Sequence, residues 1–161
     1  MKRSNLIIIA IAIIAIGVFT IFFMNKDEQT EVASISATNE NGDIVIPVTD
    51  ITEKATFYTY EELDSKMEII AVKASDGTIR TAFNTCQVCY SSGRGYYEQE
   101  GDVLVCQNCG NRFSMDEVGI TRGGCNPVPI FDEQKEVTDT NITLTKELLQ
   151  EAEIIFENWK V

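Results

Sequence analysis

Four of the five cysteines stand in two pairs, Cys86-Gln-Val-Cys89 and Cys106-Gln-Asn-Cys109, separated by 16 residues in a chain of 161 that contains no histidine. A two-residue gap lets both sulfurs of a pair face one ion from a single tight turn, whose backbone amides can donate to the thiolates. Two such turns bring four sulfurs, enough for tetrahedral Zn or Fe or for an iron-sulfur cluster. The competing readings are two structural disulfides or ordinary buried thiols. Cysteines rarely fall at this paired spacing without a metal, so the pattern names Cys86, Cys89, Cys106 and Cys109 as ligands rather than nucleophiles. A thioredoxin-like CxxC would open a helix in an α/β pattern, and neither pair does so. The chain shows no Ser/His/Asp arrangement, phosphate loop or distinctively spaced carboxylate pair, so hydrolysis and nucleotide chemistry have no support. An electron carrier or binding subunit fits these residues better than a self-contained enzyme.

The residues around the pairs read as strands and turns. Ile44-Val45-Ile46-Pro47 opens the globular part as a short strand, and Lys54 to Tyr60 is rich in Thr, Phe and Tyr with neither face cleanly apolar. Met67 to Ala74 is a further strand, and Asp76-Gly77 turns it into Thr78 to Phe83, which leads to Cys86. Tyr96-Tyr97-Glu98, the turn Glu100-Gly101-Asp102 and Val103-Leu104-Val105 form a hairpin between the two CxxC loops, bringing their tips side by side. Tyr96 and Tyr97 point to opposite faces, so at most one can shield the site. Gly110, directly after Cys109, permits the close backbone approach that suits an amide-to-sulfur hydrogen bond, whereas Tyr90 follows Cys89.

The fifth cysteine lies in Gly123-Gly124-Cys125-Asn126-Pro127-Val128-Pro129, where two glycines and two prolines predict a rigid, tightly turned loop. Three roles stay open for Cys125: alternate ligand, partner in a redox-active disulfide, or small buried residue. Asn141 to Leu144 reads as a strand, and Leu148, Leu149, Ala152, Ile155, Phe156 and Trp159 recur at helical spacing through Lys160. The opposite face of that helix carries Glu147, Glu151, Glu153 and Glu157, which anionic lipid would repel, so the apolar stripe is expected to pack on the domain.

The first 26 residues place the protein. Leu6 to Met24 is 19 residues without a charge, long enough as a helix to span roughly 28 Å, close to a bilayer's hydrocarbon thickness. A cleaved signal would end at a small-x-small site, but this run ends in Ile21-Phe22-Phe23-Met24, so an uncleaved anchor is favoured over a signal peptide. Lys2 and Arg3 hold the amino terminus in the cytoplasm, which sends the remainder outward. The organisation read from this is an anchor over 1–26, a flexible tether over 27–42 and an extracytoplasmic domain over 43–161. Removing Lys2 and Arg3 from the 13 basic residues leaves 11 against 25 acidic ones, a net charge of -14 beyond the anchor. Nucleic acid is excluded as a partner, and the acidity reads first as solubility.

The stretch from Cys86 to Ile130 resembles the membrane iron-sulfur-containing FtrD-like family, named for a component of a bacterial iron uptake system. The residues that carry the likeness are Cys86 and Cys89, Gly95-Tyr96, Cys106-x-x-Cys109-Gly110, Phe113 and Gly123 to Pro129, and it extends more loosely over residues 43 to 159. A more distant likeness is to Rieske domains, through Val72 to Gly77, Phe83 and Cys86, then Cys106 to Phe113 and Gly123-Gly124. Rieske sites use two histidines, and this chain has none. The resemblance implies a mainly β, small antiparallel Rieske-like domain with a C-terminal helix, two ligand loops at one tip and Cys125 in a covering loop. It implies an iron-sulfur cluster, [2Fe-2S] by this likeness, whose four cysteines would lower the potential toward that of ferredoxin-type centres.

Export pulls against a cluster. Clusters assembled in the cytoplasm call for a folded-export signal with two adjacent arginines, and Lys2-Arg3 is not one. Zn or a single Fe can be acquired after unfolded export. The expectation is therefore a membrane-anchored metal domain that passes single electrons to or from an iron-uptake or membrane redox partner. A structural Zn module that docks a protein is the alternative.

Overall fold

The computed structural model describes residues 38–161, so the anchor expected over 1–26 and the greater part of the tether lie outside the described residues. Among the described residues no helix is long and apolar enough to cross a membrane. The chain enters through a turn: Thr38 bridges Ile44, and the Asn39 side chain accepts from the amides of Asn41 and Asp43. This end of the expected tether is thus folded against the domain.

Ten strands follow, all paired antiparallel. β2 (Thr56–Tyr60), β3 (Met67–Lys73), β4 (Ile79–Cys86) and β8 (Pro127–Ile130) form a central sheet in that order. β1 (Ile44–Pro47), β10 (Asn141–Leu144) and β9 (Glu136–Val137) form a second sheet, and β5 (Tyr97–Glu100), β6 (Val103–Cys106) and β7 (Arg112–Ser114) a third.

The central sheet is buried on both faces, which explains why the sequence of β2 shows no polar side. Strand alternation sends Tyr58, Tyr60, Met67, Ile69 and Ala71 to one core, together with Ile44, Ile46, Ile142 and Leu144 of the second sheet. Phe57, Ile70, Val72 and Ala82 go to the other, with Leu104 and Phe113 of the third sheet and the thiols Cys86, Cys89 and Cys106. Each large apolar side chain fully buried in this way stabilises the fold by roughly 1.5–3 kcal/mol. The second core therefore ties the thiol-bearing hairpin to the sheet from which its first loop departs.

Two elements differ from the sequence reading. Pro127–Ile130, read as part of a loop, is strand β8, which lies at the sheet edge where proline's missing N–H breaks no ladder. The C-terminal helical stripe is shorter than its periodicity suggests: α1 spans Lys146–Ala152, then tightens into a 3₁₀ turn over Glu153–Phe156. The Thr145 hydroxyl caps α1 by accepting from the Leu148 amide, and the Asp43 carboxylate accepts from the Lys146 amide. Leu149, Phe156 and Trp159 bury the apolar stripe in the first core, as expected for a helix packed on the domain.

Candidate metal centre

Cys86 is the last residue of β4, and the ladder to β8 breaks just before it. Phe83 faces Val128 and Cys86 faces Pro127, so Asn84 and Thr85 are extra residues on the β4 side. The bulge turns the Asn84 side chain away from the sheet and toward the hairpin. There its Oδ1 accepts from the Tyr97 amide at 2.8 Å and its Nδ2 donates to the Tyr97 carbonyl at 3.1 Å. Nδ2 also donates to the carboxylate of Glu68, itself buried, and the Trp159 indole N–H donates to the Asn84 carbonyl at 2.7 Å. Asn84 is fully buried, and this network joins the sheet, the hairpin and the C-terminal turn directly behind the thiols. Nothing in the local sequence marks it.

The first loop is gripped from the other side by Gly95. Its carbonyl accepts from the Cys86 amide at 2.6 Å, and a Cβ at this position would lie 2.4 Å from the Cys89 carbonyl oxygen. Only glycine lets the chain pass this close. In the second loop Cys106 ends β6 opposite Tyr97 in the ladder, and its amide donates to the Asn111 carbonyl.

Both loops treat their first cysteine alike. The Cys86 sulfur accepts the Cys89 amide at 3.3 Å, and the Val88 amide also acts to lower its thiol; the amides of Cys109 and Asn108 act in the same direction on Cys106. Gly110, with φ of 73°, sends its own amide to the Cys106 carbonyl, while the amide that reaches the Cys109 sulfur is that of Asn111. Tyr97 is the tyrosine that faces the site, its hydroxyl 3.9 Å from the Cys125 sulfur; Tyr96 packs on the other side against Trp159.

Cys125 stands among the other thiols. Its Sγ lies 3.3 Å from that of Cys86, 3.9 Å from Cys89 and 2.7 Å from Cys109. The sulfurs of Cys86, Cys89, Cys106 and Cys125 all fall within 4.8 Å of one another. Cys109 sits at the solvent edge of this group, exposed, whereas Cys86, Cys89 and Cys106 are buried. The loop that carries Cys125 is held to both ligand loops. Gln87 accepts from the Gly123 amide and donates to the Pro127 carbonyl, and Asn111 donates to the Cys125 carbonyl at 2.8 Å. Gln87 and Asn111 tie this loop down, and the CxxC spacing alone did not single them out.

Burial pushes the Cys89 thiol up to about 11 and raises Cys106. Burial raises Cys125 as well, and contact with Cys109 adds to the effect. Burial acts in the same direction on Cys86, but the Val88 amide, the Tyr97 hydroxyl and the Cys89 amide outweigh it and leave that thiol lowered. Contact with Cys125, then the Asn111 amide, brings Cys109 down to about 7. Burial, then contact with Cys86, keeps the Tyr97 hydroxyl protonated. A cation is what would make several neighbouring thiolates affordable in so dry a place.

Four sulfurs around one ion with bonds of about 2.3 Å form a tetrahedron of edge about 3.8 Å. A set lying within 4.8 Å is close to that size. A cluster distributes its thiolates over more than one iron, so the two loops would have to part somewhat to accept it. The donor set, all sulfur and backed by amide donors, fits thiolate-held iron.

The family described as membrane iron-sulfur containing protein, FtrD-like, matches residues 48–156, which include both CxxC loops, the Cys125 loop and most of the described strands. No curated protein and no solved structure matches the chain. With more than half of its 161 residues covered, the chain belongs to the membrane iron-sulfur-containing FtrD-like family.

Proposed function

We propose that this chain is an iron-binding electron carrier anchored in the cell membrane. Its amino terminus is cytoplasmic, its metal domain extracytoplasmic, and it exchanges single electrons with an iron-transport or membrane redox partner. The observation that carries the reading is the convergence of thiols from three segments on one buried point, with backbone N–H groups turned toward the first sulfur of each CxxC. Iron held by thiolates supplies one-electron chemistry. Cys86, Cys89 and Cys106 are the fixed ligands in this reading, and Cys109 and Cys125 compete for the fourth place. Asn84 and Gly95 hold the first loop to the hairpin, and Tyr97 closes the site on its inner side. Two ligand loops side by side under a Gly-Pro segment support a Rieske-like scaffold with an all-thiolate site, which favours a low potential. The uncharged run from Leu6 to Met24 behind Lys2-Arg3 supports the anchor and its orientation.

A structural Zn site is the second reading, favoured by the compactness of the four sulfurs. In it the domain serves as a docking module. Full-length protein purified anaerobically and assayed for iron, zinc and acid-labile sulfide, with EPR spectra before and after reduction, separates these outcomes. Iron with sulfide and a reduced-state EPR signal supports a cluster, and iron without sulfide supports a single Fe. Colourless protein with one Zn overturns electron transfer.

A further inference from the structure

Five thiols converge where four-coordinate metal takes four, and the surplus is not distributed at random. Cys125 is in sulfur contact with Cys86, Cys89 and Cys109, and its shortest contact, 2.7 Å, is to Cys109. Cys109 is the exposed member of the group. The two sulfurs are carried by backbone with room to adjust: Gly110 follows one and Gly123-Gly124 precede the other, with nothing within 4 Å of a Cβ placed on Gly110 or Gly123. The Asn111 side chain bonded to the Cys125 carbonyl keeps the two segments in register. Cys86, also close to Cys125, is fully buried and its sulfur already accepts the Cys89 amide at 3.3 Å, so turning it outward would break that bond.

We infer that Cys109 and Cys125 form a reversible disulfide, which withdraws Cys125 from the thiol set on oxidation and returns it on reduction. The release of metal that follows rests on the metal-binding reading above; the disulfide itself does not. Closing from 2.7 Å to a bond of about 2.0 Å moves the sulfurs by less than an ångström. The oxidant is a small-molecule or protein disulfide. The Cys109 thiolate attacks one sulfur of that disulfide and expels the other as a thiolate, leaving a mixed disulfide at the exposed position. The Cys125 thiolate then attacks the Cys109 sulfur and expels the second thiolate. Two electrons pass from the Cys109 and Cys125 sulfurs to the oxidant, whose two halves leave as thiols carrying the two protons. What remains is a set of three thiols, Cys86, Cys89 and Cys106, one short of a closed tetrahedral site.

The test uses the full-length protein in detergent, reduced, in metal-free and metal-loaded forms. Each is treated with oxidised glutathione, trapped with N-ethylmaleimide, digested and mapped by mass spectrometry. In the metal-free form the dominant product is a peptide pair joined through Cys109 and Cys125, with Cys86, Cys89 and Cys106 alkylated, and Cys109→Ser abolishes every disulfide that contains Cys125. A dominant Cys86–Cys89 or Cys106–Cys109 linkage overturns the pair, as does glutathione retained on Cys109 beside an alkylated Cys125. In the metal-loaded form metal release tracks the linked peptide one for one, and a dithiol with added metal restores it. Linkage without release overturns the withdrawal of a ligand. If reduced wild-type protein takes up no metal at all, the metal-binding reading fails, and the map of the metal-free form still decides the disulfide.

Discussion

Asn84 pairs with Tyr97 as a strand neighbour would, except that it uses its side chain: the carboxamide accepts the Tyr97 amide and donates to the Tyr97 carbonyl. The bulge in β4 makes this possible, and the result is that the hairpin carrying the second ligand loop is bonded to the strand carrying the first.

Asn84→Ala leaves the Tyr97 amide and carbonyl and the Glu68 carboxylate short of a partner in a dry site. At about 1–3 kcal/mol for each unsatisfied group, we expect a loss of about 3 kcal/mol or more in urea unfolding. Asn84→Asp keeps the acceptor but sets a second carboxylate against Glu68, and it is expected to lose at least as much. Unfolding midpoints equal to wild type in both variants would sink the assignment.

Gly95→Ala places a methyl group 2.4 Å from the Cys89 carbonyl oxygen, against backbone that has no side chain to move aside. The first ligand loop must shift, so the purified variant should carry markedly less metal per chain than wild type. A variant with wild-type metal content would show that the loop has slack the structure does not display.

Gln87→Ala cuts two of the side-chain ties between the Cys125 loop and a ligand loop, and Asn111→Ala cuts one. Partners of this kind around a metal site are typically worth about 10–100-fold in affinity. Competition with a chromogenic chelator should show a fall of that order for each variant, with the circular dichroism of the strands unchanged. An affinity unchanged in both would mean that the ties serve only the loop.

Thiol reactivity should vary with pH in opposite ways along the site. Only the thiolate alkylates, and Cys109 is held down to about 7 by its contact with Cys125 and by the Asn111 amide, while burial pushes Cys89 up to about 11. In metal-free reduced protein the iodoacetamide rate at Cys109 should therefore rise as pH climbs through 7 and level off by about pH 8. Cys89 stays protonated, and slow to react, over the same range. A Cys109 rate still climbing steeply at pH 9, as for an ordinary thiol, would contradict the lowering.

Tyr97→Phe removes a hydroxyl that lies 3.9 Å from the Cys125 sulfur and helps to lower the Cys86 thiol, without emptying its place in the core. Hydrogen bonds to ligand sulfurs stabilise the more negative, reduced state, so their loss lowers the potential. Redox titration followed by EPR should find the iron-loaded variant reduced at a more negative potential than wild type. A shift upward would mean that the hydroxyl does not face a ligand.

The parts of this site that were legible in the sequence are those set by local pattern. The two CxxC pairs, the hairpin between them, the opposed faces of Tyr96 and Tyr97 and the strand into Cys86 all follow from residue type and spacing. What escaped depends on which segments meet. Pro127 and Pro129 read as loop because proline breaks ladders, yet β8 is an edge strand where it breaks none. Asn84 reads as an ordinary polar residue, and its role exists only because a bulge turns it toward a hairpin thirteen residues on. The exposed place of Cys109 and the central place of Cys125 could not be told from five cysteines in a row, because both are set by how the loop after residue 119 folds back over the two others.

The Trp159 indole bonded to the Asn84 carbonyl gives the site a place in time. Four of its five thiols are made within a span of 24 residues, Cys86 to Cys109, but the polar network behind them closes only when Trp159, 50 residues past Cys109, has arrived. On a ribosome, or on a chain threading outward through a membrane from its amino end, the thiols emerge well before the structure that arranges them. Loading the finished geometry is therefore a late event, and it falls to the compartment in which the carboxy-terminal turn finally docks.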